Sequence, residues 1–347
     1  MIPLFVGYQL RSDSRLIDAI LRHGDRVKEV YFAWPGVANG RSTISGKLDL
    51  PSWEALDRQR DDLAKLTENN IGLNLLLNGN CYGAEALSRS FFTKVGDLID
   101  NLAAEYNITS VTTASPVIAR FVKQNFEDLE VRASVNMEIG TREGMEYLAE
   151  AMDGFYVKRE MNRSIGQVKE FSDICRSMGK KVYLLANSGC LNYCSARSFH
   201  DNLVSHEAEL MKMDNAFVFD GMCRQFLSDP EKKKRIIQIS NWIRPEDLSN
   251  YEGIVDGVKL ATRVSENPEM IVSAYANGRF PGNLLSLTEP DFSAMYRPMV
   301  LSNSRMPEDF FKQTSSCNRK CEKCGYCIRA FEQASEDISQ YYNTETK

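Results

Sequence analysis

Residues 182–186 read VYLLA, and the polar residues Asn187, Ser188, Gly189 and Cys190 follow at once. A short apolar run that ends abruptly in turn-forming residues is typical of a buried strand in a parallel sheet. Similar runs recur along the chain and alternate with longer amphipathic stretches. This order indicates repeated βα units.

The number of such runs predicts a (β/α)8 barrel of the TIM type better than an open sheet. The predicted strands are residues 5–8, 29–33, 73–78, 110–113, 131–135, 155–158, 182–186, 236–240 and 258–262. The pattern leaves open whether 236–240 or 258–262 closes the barrel. No Gly-rich dinucleotide fingerprint follows the first strand and no phosphate loop occurs, which disfavours Rossmann and nucleotide-hydrolase folds.

The chain of 347 residues is long enough for one barrel and an appendage. After Arg263 the βα pattern degrades into one helical stretch, a segment punctuated by Pro, Ser and Met, and a cysteine-rich knot at residues 317–327. We therefore predict a barrel domain at residues 1–263 and a C-terminal, cysteine-rich extension at residues 264–347.

Composition and charge exclude several classes of protein. The 42 basic and 47 acidic residues give a net charge of -5, so nucleic acid is not favoured as a partner. The sequence has no apolar stretch near the ~18 residues needed to span a bilayer and no leader pattern. We expect a cytoplasmic protein without membrane contact, in which nine cysteines indicate metal or redox chemistry rather than disulfides.

Charged residues follow several predicted strands, where the active site of a barrel is assembled. The candidates for catalysis or substrate binding are Arg159, Glu160, His200, Arg244, Asp247 and Arg263. Arginine forks bind carboxylates with two hydrogen bonds, so a carboxylate-bearing substrate is one interpretation, with Glu160 or His200 moving protons. The other interpretation is a set of salt bridges that rim the barrel.

The terminal knot has four cysteines within eleven residues, spaced C-x3-C-x2-C-x2-C: Cys317, Cys321, Cys324 and Cys327. Such a loop can wrap a zinc ion or hold an iron-sulfur cluster, because both need several thiolates at one centre. The first three cysteines also have the spacing of radical enzymes that cleave S-adenosylmethionine. That alternative is disfavoured, because the knot follows the barrel and contains a fourth cysteine.

Four further cysteines are predicted at or near the mouth of the barrel: Cys81, Cys190, Cys194 and Cys223. They can share an iron-sulfur cluster or zinc, since sulfur ligands suit soft metals. The alternative is that they are free cysteines in a core. Cys175 lies in a helical pattern and is predicted to be a buried apolar side chain.

A series of short motifs, in order, resembles the U32 peptidases, also called collagenase-like proteases. The motifs are EVYFAWP (residues 29–35), NGNCYG (78–83), RASVNM (132–137), KREMNR (158–163), LANSGC (185–190), FHDN (199–202), IRPEDL (243–248), KLATR (259–263) and the terminal knot. The resemblance covers roughly the whole chain.

The resemblance implies a barrel catalytic domain, and a 4Fe-4S cluster of the kind by which some U32 relatives hydroxylate tRNA, ribosomal RNA or the ubiquinone ring without oxygen. By position, Cys190 and Cys194 match two cluster ligands of those relatives and Cys223 matches a third. Many relatives have a cysteine where this chain has residues 247–249, so Cys81 is the candidate for the fourth ligand.

Three functions follow as hypotheses. The first is an iron-sulfur enzyme, with one or two 4Fe-4S clusters or zinc at the knot, that oxidises or hydroxylates a carboxylate-bearing or macromolecular substrate without O2. The second is a peptidase. The third is a non-catalytic, cluster-bearing subunit paired with another U32-type chain, as some family members work in pairs.

Overall fold

Eight parallel strands form a closed barrel in the computed structural model, which describes residues 1–40 and 52–342. Each strand pairs with the next in the chain, and the first pairs with the eighth. The strands are β1 Leu4–Gly7, β2 Val27–Phe32, β3 Gly72–Leu77, β4 Ile108–Thr113, β5 Glu130–Ala133, β6 Gly154–Tyr156, β7 Lys181–Leu185 and β8 Gly257–Leu260. The predicted (β/α)8 fold is confirmed.

Helices cover the outside of the barrel. The longer ones are α1 Arg15–Arg22, α2 Ser52–Glu68, α3 Arg89–Glu105, α4 Pro116–Asn125, α5 Arg142–Glu146 and α6 Ile165–Ser177 up to β7. Local sequence sets where they begin: the Ser88 hydroxyl accepts a hydrogen bond from the Phe91 amide, and Ser115 caps α4 in the same way.

The connection between β7 and β8 is long and largely helical. It contains α7 Arg197–Ser205, α8 Glu207–Leu210, α9 Met222–Leu227, α10 Pro230–Lys233, α11 Ile236–Ile239 and a 3-10 segment Pro245–Tyr251. The strand predicted at residues 236–240 is therefore wrong, and β8 at Gly257–Leu260 closes the barrel. Three isoleucines within the four residues Ile236–Ile239 fit one helical turn as well as a strand, so the pattern does not distinguish the two.

After β8 the chain returns to the barrel. The elements are α12 Pro268–Asn277, α13 Ser293–Tyr296, β9 Met299–Leu301, α14 Phe310–Ser315, α15 Cys321–Cys324, α16 Tyr326–Ala334, β10 Ser335–Asp337 and α17 Ser339–Tyr342. Helix α12 packs on α1, where Arg15 and Glu269 form an ion pair of 3.3 Å. Phe310 stacks on Trp242 at 6.4 Å between ring centroids. These buried contacts join the C-terminal segment to the same hydrophobic core as the barrel.

The interior of the barrel is polar as well as aromatic. Arg132 binds Glu29 at 2.7 Å and Glu130 at 2.7 Å, and its guanidinium lies over the Tyr183 ring at 4.3 Å. Asn74 donates to Glu29 at 3.1 Å. Because buried charges are costly unless they are paired and hydrogen-bonded, this network forms one connected unit inside the strands.

Among the described residues, no helix is long and apolar enough to cross a membrane.

Candidate functional site

Three of the predicted thiols lie together on the β7–β8 connection. Cys190 and Cys194 are in the loop directly after β7, and Cys223 is at the start of α9, some thirty residues further on. Burial raises the pKa of the Cys223 thiol, and the nearby Cys190 and Cys194 thiols raise it further. The electrostatic influence of Cys190 and Cys194 on Cys223 shows that the three thiols lie in the same region of the chain.

Two buried arginines accompany these thiols. Arg159, in the 3-10 turn Arg159–Met161 after β6, donates to Asn136 Oδ1 at 2.7 Å. Arg197, at the start of α7, forms ion pairs with Glu138 and with Glu160, the latter at 3.3 Å. Cys190 raises the pKa of Arg197 and offsets part of the lowering that burial imposes on the pKa of Arg159. The Arg159 and Arg197 guanidinium groups therefore lie close enough to Cys190 to interact with it electrostatically.

Glu160 connects the two cysteine-bearing segments. Its Oε1 atom accepts a hydrogen bond from the Tyr193 amide at 3.1 Å, inside the Cys190–Cys194 loop. Its backbone oxygen accepts from Arg319 of the terminal knot and from Asn241. The Arg319 guanidinium also lies 5.5 Å from the centroid of the Tyr193 ring. The knot is thus packed against the barrel mouth.

The four terminal thiols also influence one another. Burial raises the pKa of Cys327, the Arg163 guanidinium lowers it, and Cys317, Cys321 and Cys324 raise it again. Arg163 is buried below the knot, where it donates to Ile237 O at 2.5 Å and to Ser240 O. Arg163 therefore lies close enough to Cys317 and Cys327 to interact with both thiols.

Neither thiol set is closed into a ligand cage. Among the residues that the structure describes, no three His, Cys, Asp or Glu side chains are close enough to ligate one metal ion. The donor set nevertheless fits a soft metal by its chemistry, because cysteine sulfur atoms are the ligands that zinc and iron-sulfur clusters take.

Arg244 and Asp247 bind each other rather than facing an open mouth. Both Asp247 oxygens accept from the Arg244 guanidinium at 2.8 Å, and Phe310 lies against that guanidinium at 4.9 Å. The pair is buried under the C-terminal segment and fixes the 3-10 segment Pro245–Tyr251. This arrangement matches the salt-bridge interpretation of the charged strand ends.

Arg263 and Lys259 make the interior end of the mouth basic. Arg263 donates to Asn39 Oδ1 at 2.9 Å. Lys259, on β8, lies 3.8 Å above the Tyr31 ring, and burial lowers its pKa to about 7, with Arg263, Arg132 and Arg159 acting in the same direction. Lys259, Arg263 and Arg159 therefore lie near one another at the mouth, where their positive charge would attract an anion.

Buried polar atoms mark the same place. The Nε atom of Arg159 and the Oε2 atom of Glu160 are buried and have no hydrogen-bond partner within the described part of the chain. Buried polar atoms in proteins are nearly always paired with protein, water or a ligand. Arg159 and Glu160 are therefore the predicted site residues best placed to contact a bound molecule.

Of the remaining predicted residues, His200 packs on the Phe219 ring at 5.5 Å. Cys175 lies fully buried in α6 beside Met145, as predicted, and burial raises its pKa to about 12. Cys81 has different neighbours from the other mouth thiols: the strongest influence on its pKa is a hydrogen bond with His206.

Sequence reasoning missed Lys259 and Arg197 as site residues. A lysine between Val258 and Leu260 in an apolar strand is a signal for Lys259, because a charge there must point into the barrel. Arg197 carries no comparable signal, since its acidic partners Glu138 and Glu160 lie far away along the chain.

The fold and the site define a (β/α)8-barrel protein with thiols and arginines at the mouth. No family model matches the chain. It is 26% identical over 314 residues to an uncharacterized protease of Methanocaldococcus jannaschii, and the match covers 88% of each chain. Among solved structures it is similar to a U32 peptidase, with a TM-score of 0.53 and 16% identity over 75% of this chain and 92% of the other. The similarity to the solved structure shows a shared barrel fold.

Proposed function

We propose that this chain is a U32-type enzyme whose barrel mouth holds an iron-sulfur cluster and modifies a carboxylate-bearing or macromolecular substrate without O2. The observation that carries the proposal is the convergence of Cys190, Cys194 and Cys223 beside the buried Arg159 and Arg197 guanidinium groups. Core cysteines without a ligand have no need of neighbouring cations.

The ligands would be Cys190, Cys194 and Cys223. Cys81, the fourth ligand expected from the sequence, has His206 as its partner, and we leave it out of the proposed set. The terminal knot would hold a second cluster or a zinc ion through Cys317, Cys321, Cys324 and Cys327. A 4Fe-4S cluster, when bound, supplies one-electron chemistry or a Lewis-acidic iron at the mouth.

The protein's own residues bind and orient the substrate. Arg159 and Arg263 attract a carboxylate to the mouth, and the unpaired Nε atom of Arg159 donates to it. Glu160 holds the thiol loop through the Tyr193 amide, and its free Oε2 atom accepts a proton from a bound molecule. His200 is a second candidate for proton transfer. The Arg244–Asp247 pair positions the 3-10 segment that closes one side of the mouth.

Anaerobic purification followed by absorption and EPR spectroscopy tests this proposal. We expect absorption near ~400 nm that bleaches on reduction and decreases in Cys190→Ala and Cys194→Ala. Cys175→Ala is the matched control, because this thiol is buried far from the mouth in α6. A colourless, iron-free wild type would contradict the proposal.

A peptidase is the second candidate, favoured by the name of the Methanocaldococcus jannaschii relative and of the similar structure. It predicts hydrolysis of a peptide that survives chelation and Cys190→Ala. A paired U32-type partner is the third proposal, and it predicts that the isolated chain is inactive until that subunit is added.

A further inference from the structure

A second group of reactive side chains lies outside the thiol sets described above. The Nδ1 atom of His206 is 2.7 Å from Glu209 Oε2, and the His206 ring lies close enough to the Cys81 thiol for each to shift the pKa of the other. Thiol, imidazole and carboxylate are therefore connected in series. With Nδ1 engaged by Glu209, Nε2 is the ring nitrogen left to exchange a proton with the thiol.

Two distant segments meet to make this group. The amide of Asn80 donates to the Ser205 hydroxyl at 2.9 Å, which holds the loop after β3 against the C-terminal end of α7. Cys81 follows Asn80, and His206 follows Ser205. A single backbone contact thus places the cysteine beside the histidine, and Glu209 comes from the next helical turn.

The group is separate from the barrel-mouth thiols. Arg197 at one end of α7 interacts with Cys190, whereas Ser205 and His206 at the other end contact the Cys81 loop. Eight residue steps along a helix span about 12 Å. The Cys81 loop therefore contacts the end of α7 opposite to the end that interacts with Cys190.

We propose that Cys81, His206 and Glu209 form a second catalytic site, in which the Cys81 thiol hydrolyses a peptide bond next to an apolar residue. This inference rests on the peptidase candidate above and is independent of any cluster. Each residue type has its usual role: a nucleophile, a base within reach of it, and a carboxylate that orients the base.

The reaction balances within these residues and water. The Cys81 Sγ–H proton passes to His206 Nε2 as sulfur bonds to the substrate carbonyl carbon; the carbon–nitrogen bond then breaks, and the leaving amine takes that proton. Water next gives a proton to His206 and its oxygen bonds to the thioester carbon. The carbon–sulfur bond breaks and the proton returns to sulfur, which restores the free thiol.

The surroundings activate the thiol. The hydrogen bond with His206, and next the Gly83 amide that donates to Cys81 Sγ at 3.4 Å, lower the pKa of Cys81. The hydrogen bonds with Cys81 and then with Glu209 raise the pKa of His206. Both shifts favour transfer of the thiol proton to the imidazole.

An apolar groove of about 350 Å³ adjoins the histidine. His206 and Glu209 line it together with Phe199, Leu203 and Met213. Because the base itself forms part of the wall, an apolar side chain in the groove would bring its own peptide carbonyl near Cys81. The groove would thus hold an apolar side chain of the peptide substrate.

The test uses the p-nitrophenyl ester of N-acetylphenylalanine as an acyl donor, a phenylalanine-containing peptide as substrate, and mass spectrometry of the intact chain. In the wild type we expect an acetylphenylalanyl thioester on Cys81 and peptide hydrolysis. Cys81→Ser and His206→Gln should lower turnover at least ~100-fold, and Glu209→Gln should lower it less. Glu207→Gln, one residue from the histidine, is the matched control and should retain the wild-type rate.

Two results would overturn the proposal. One is acylation spread evenly over the exposed cysteines, with no effect of His206→Gln on iodoacetamide labelling of Cys81. The other is loss of iron in Cys81→Ser, which would make Cys81 a cluster ligand. Iron measured in the same samples separates the two proposals. If an iron-free chain still forms the Cys81 thioester, the iron-sulfur proposal is contradicted and the proposed triad is supported.

Discussion

Arg319 of the terminal cysteine knot donates a hydrogen bond to the backbone oxygen of Glu160 at the barrel mouth. Glu160 in turn holds the Tyr193 amide between Cys190 and Cys194. One residue therefore contacts both cysteine-bearing segments, although they are more than a hundred residues apart in sequence. The knot and the mouth thiols form adjoining walls of one region.

Removing this contact should loosen the knot without unfolding the barrel. We expect Arg319→Ala to increase amide hydrogen exchange and protease cleavage at residues 317–327 several-fold, because the guanidinium also loses its position on the Tyr193 ring. The neighbouring, exposed Lys320→Ala should behave like the wild type. Equal exchange rates in both variants would show that Arg319 does not hold the knot.

Glu130 should make the stability of the barrel depend on acid pH. Burial raises its pKa, but hydrogen bonds and charge from Arg132, with Lys181 and Tyr183, outweigh burial and lower it to about 2. A carboxylate with a lowered pKa stabilises the fold above its unfolded value of 4.5 and loses that contribution as pH falls through 2.

Glu130→Gln should therefore lower the free energy of unfolding by roughly 2–3 kcal/mol at pH 7 and by under half of that at pH 3. Urea unfolding at both pH values measures this, with exposed Glu127→Gln as the control. If the difference in unfolding free energy between Glu130→Gln and the wild type does not change with pH, the ionised carboxylate is not its cause.

Lys259 should destabilise the fold as pH falls toward neutral, whereas Glu130 stabilises it. Its pKa of about 7 in the folded chain is below the ordinary 10.5, so the unfolded chain holds a proton that the folded chain has lost between these values. The penalty begins as pH falls below 10.5 and is complete below 7.

Lys259→Met should thus be roughly 3–5 kcal/mol more stable than the wild type at pH 6 and about 1 kcal/mol more stable at pH 10. Exposed Lys169→Met should show no such trend. If Lys259→Met is destabilised at pH 6, the ammonium is compensated inside the barrel and its pKa is not lowered.

Most of the barrel could be predicted from short apolar runs. Helices cover the outside of each parallel strand, so the residues on the outer face of the strand have to be apolar. The run at residues 182–186 corresponds to Lys181–Leu185, and the run at 258–262 to Gly257–Leu260. The strand prediction at residues 236–240 failed because three isoleucines within four residues fit one helical turn equally well.

The site could be predicted in part, since strand ends in a barrel converge. This placed Arg159, Glu160, Cys190 and Cys194 correctly at one end of the strands. Pairings between distant residues could not be predicted: Cys81 meets His206 through a contact that spans 125 residues, and only the folded chain brings the two loops together.

The iron and acid-labile sulfide content of anaerobically purified protein tests the central claim, that the thiols form two metal centres, most directly. With two clusters we expect about eight iron and eight sulfide per chain, falling to about four of each in Cys194→Ala and in Cys324→Ala and unchanged in Cys175→Ala. With zinc at the knot, the wild type has about four iron and one zinc, and Cys324→Ala loses the zinc alone. A wild type with neither iron nor zinc, or one in which Cys175→Ala loses as much metal as Cys194→Ala, would contradict the account.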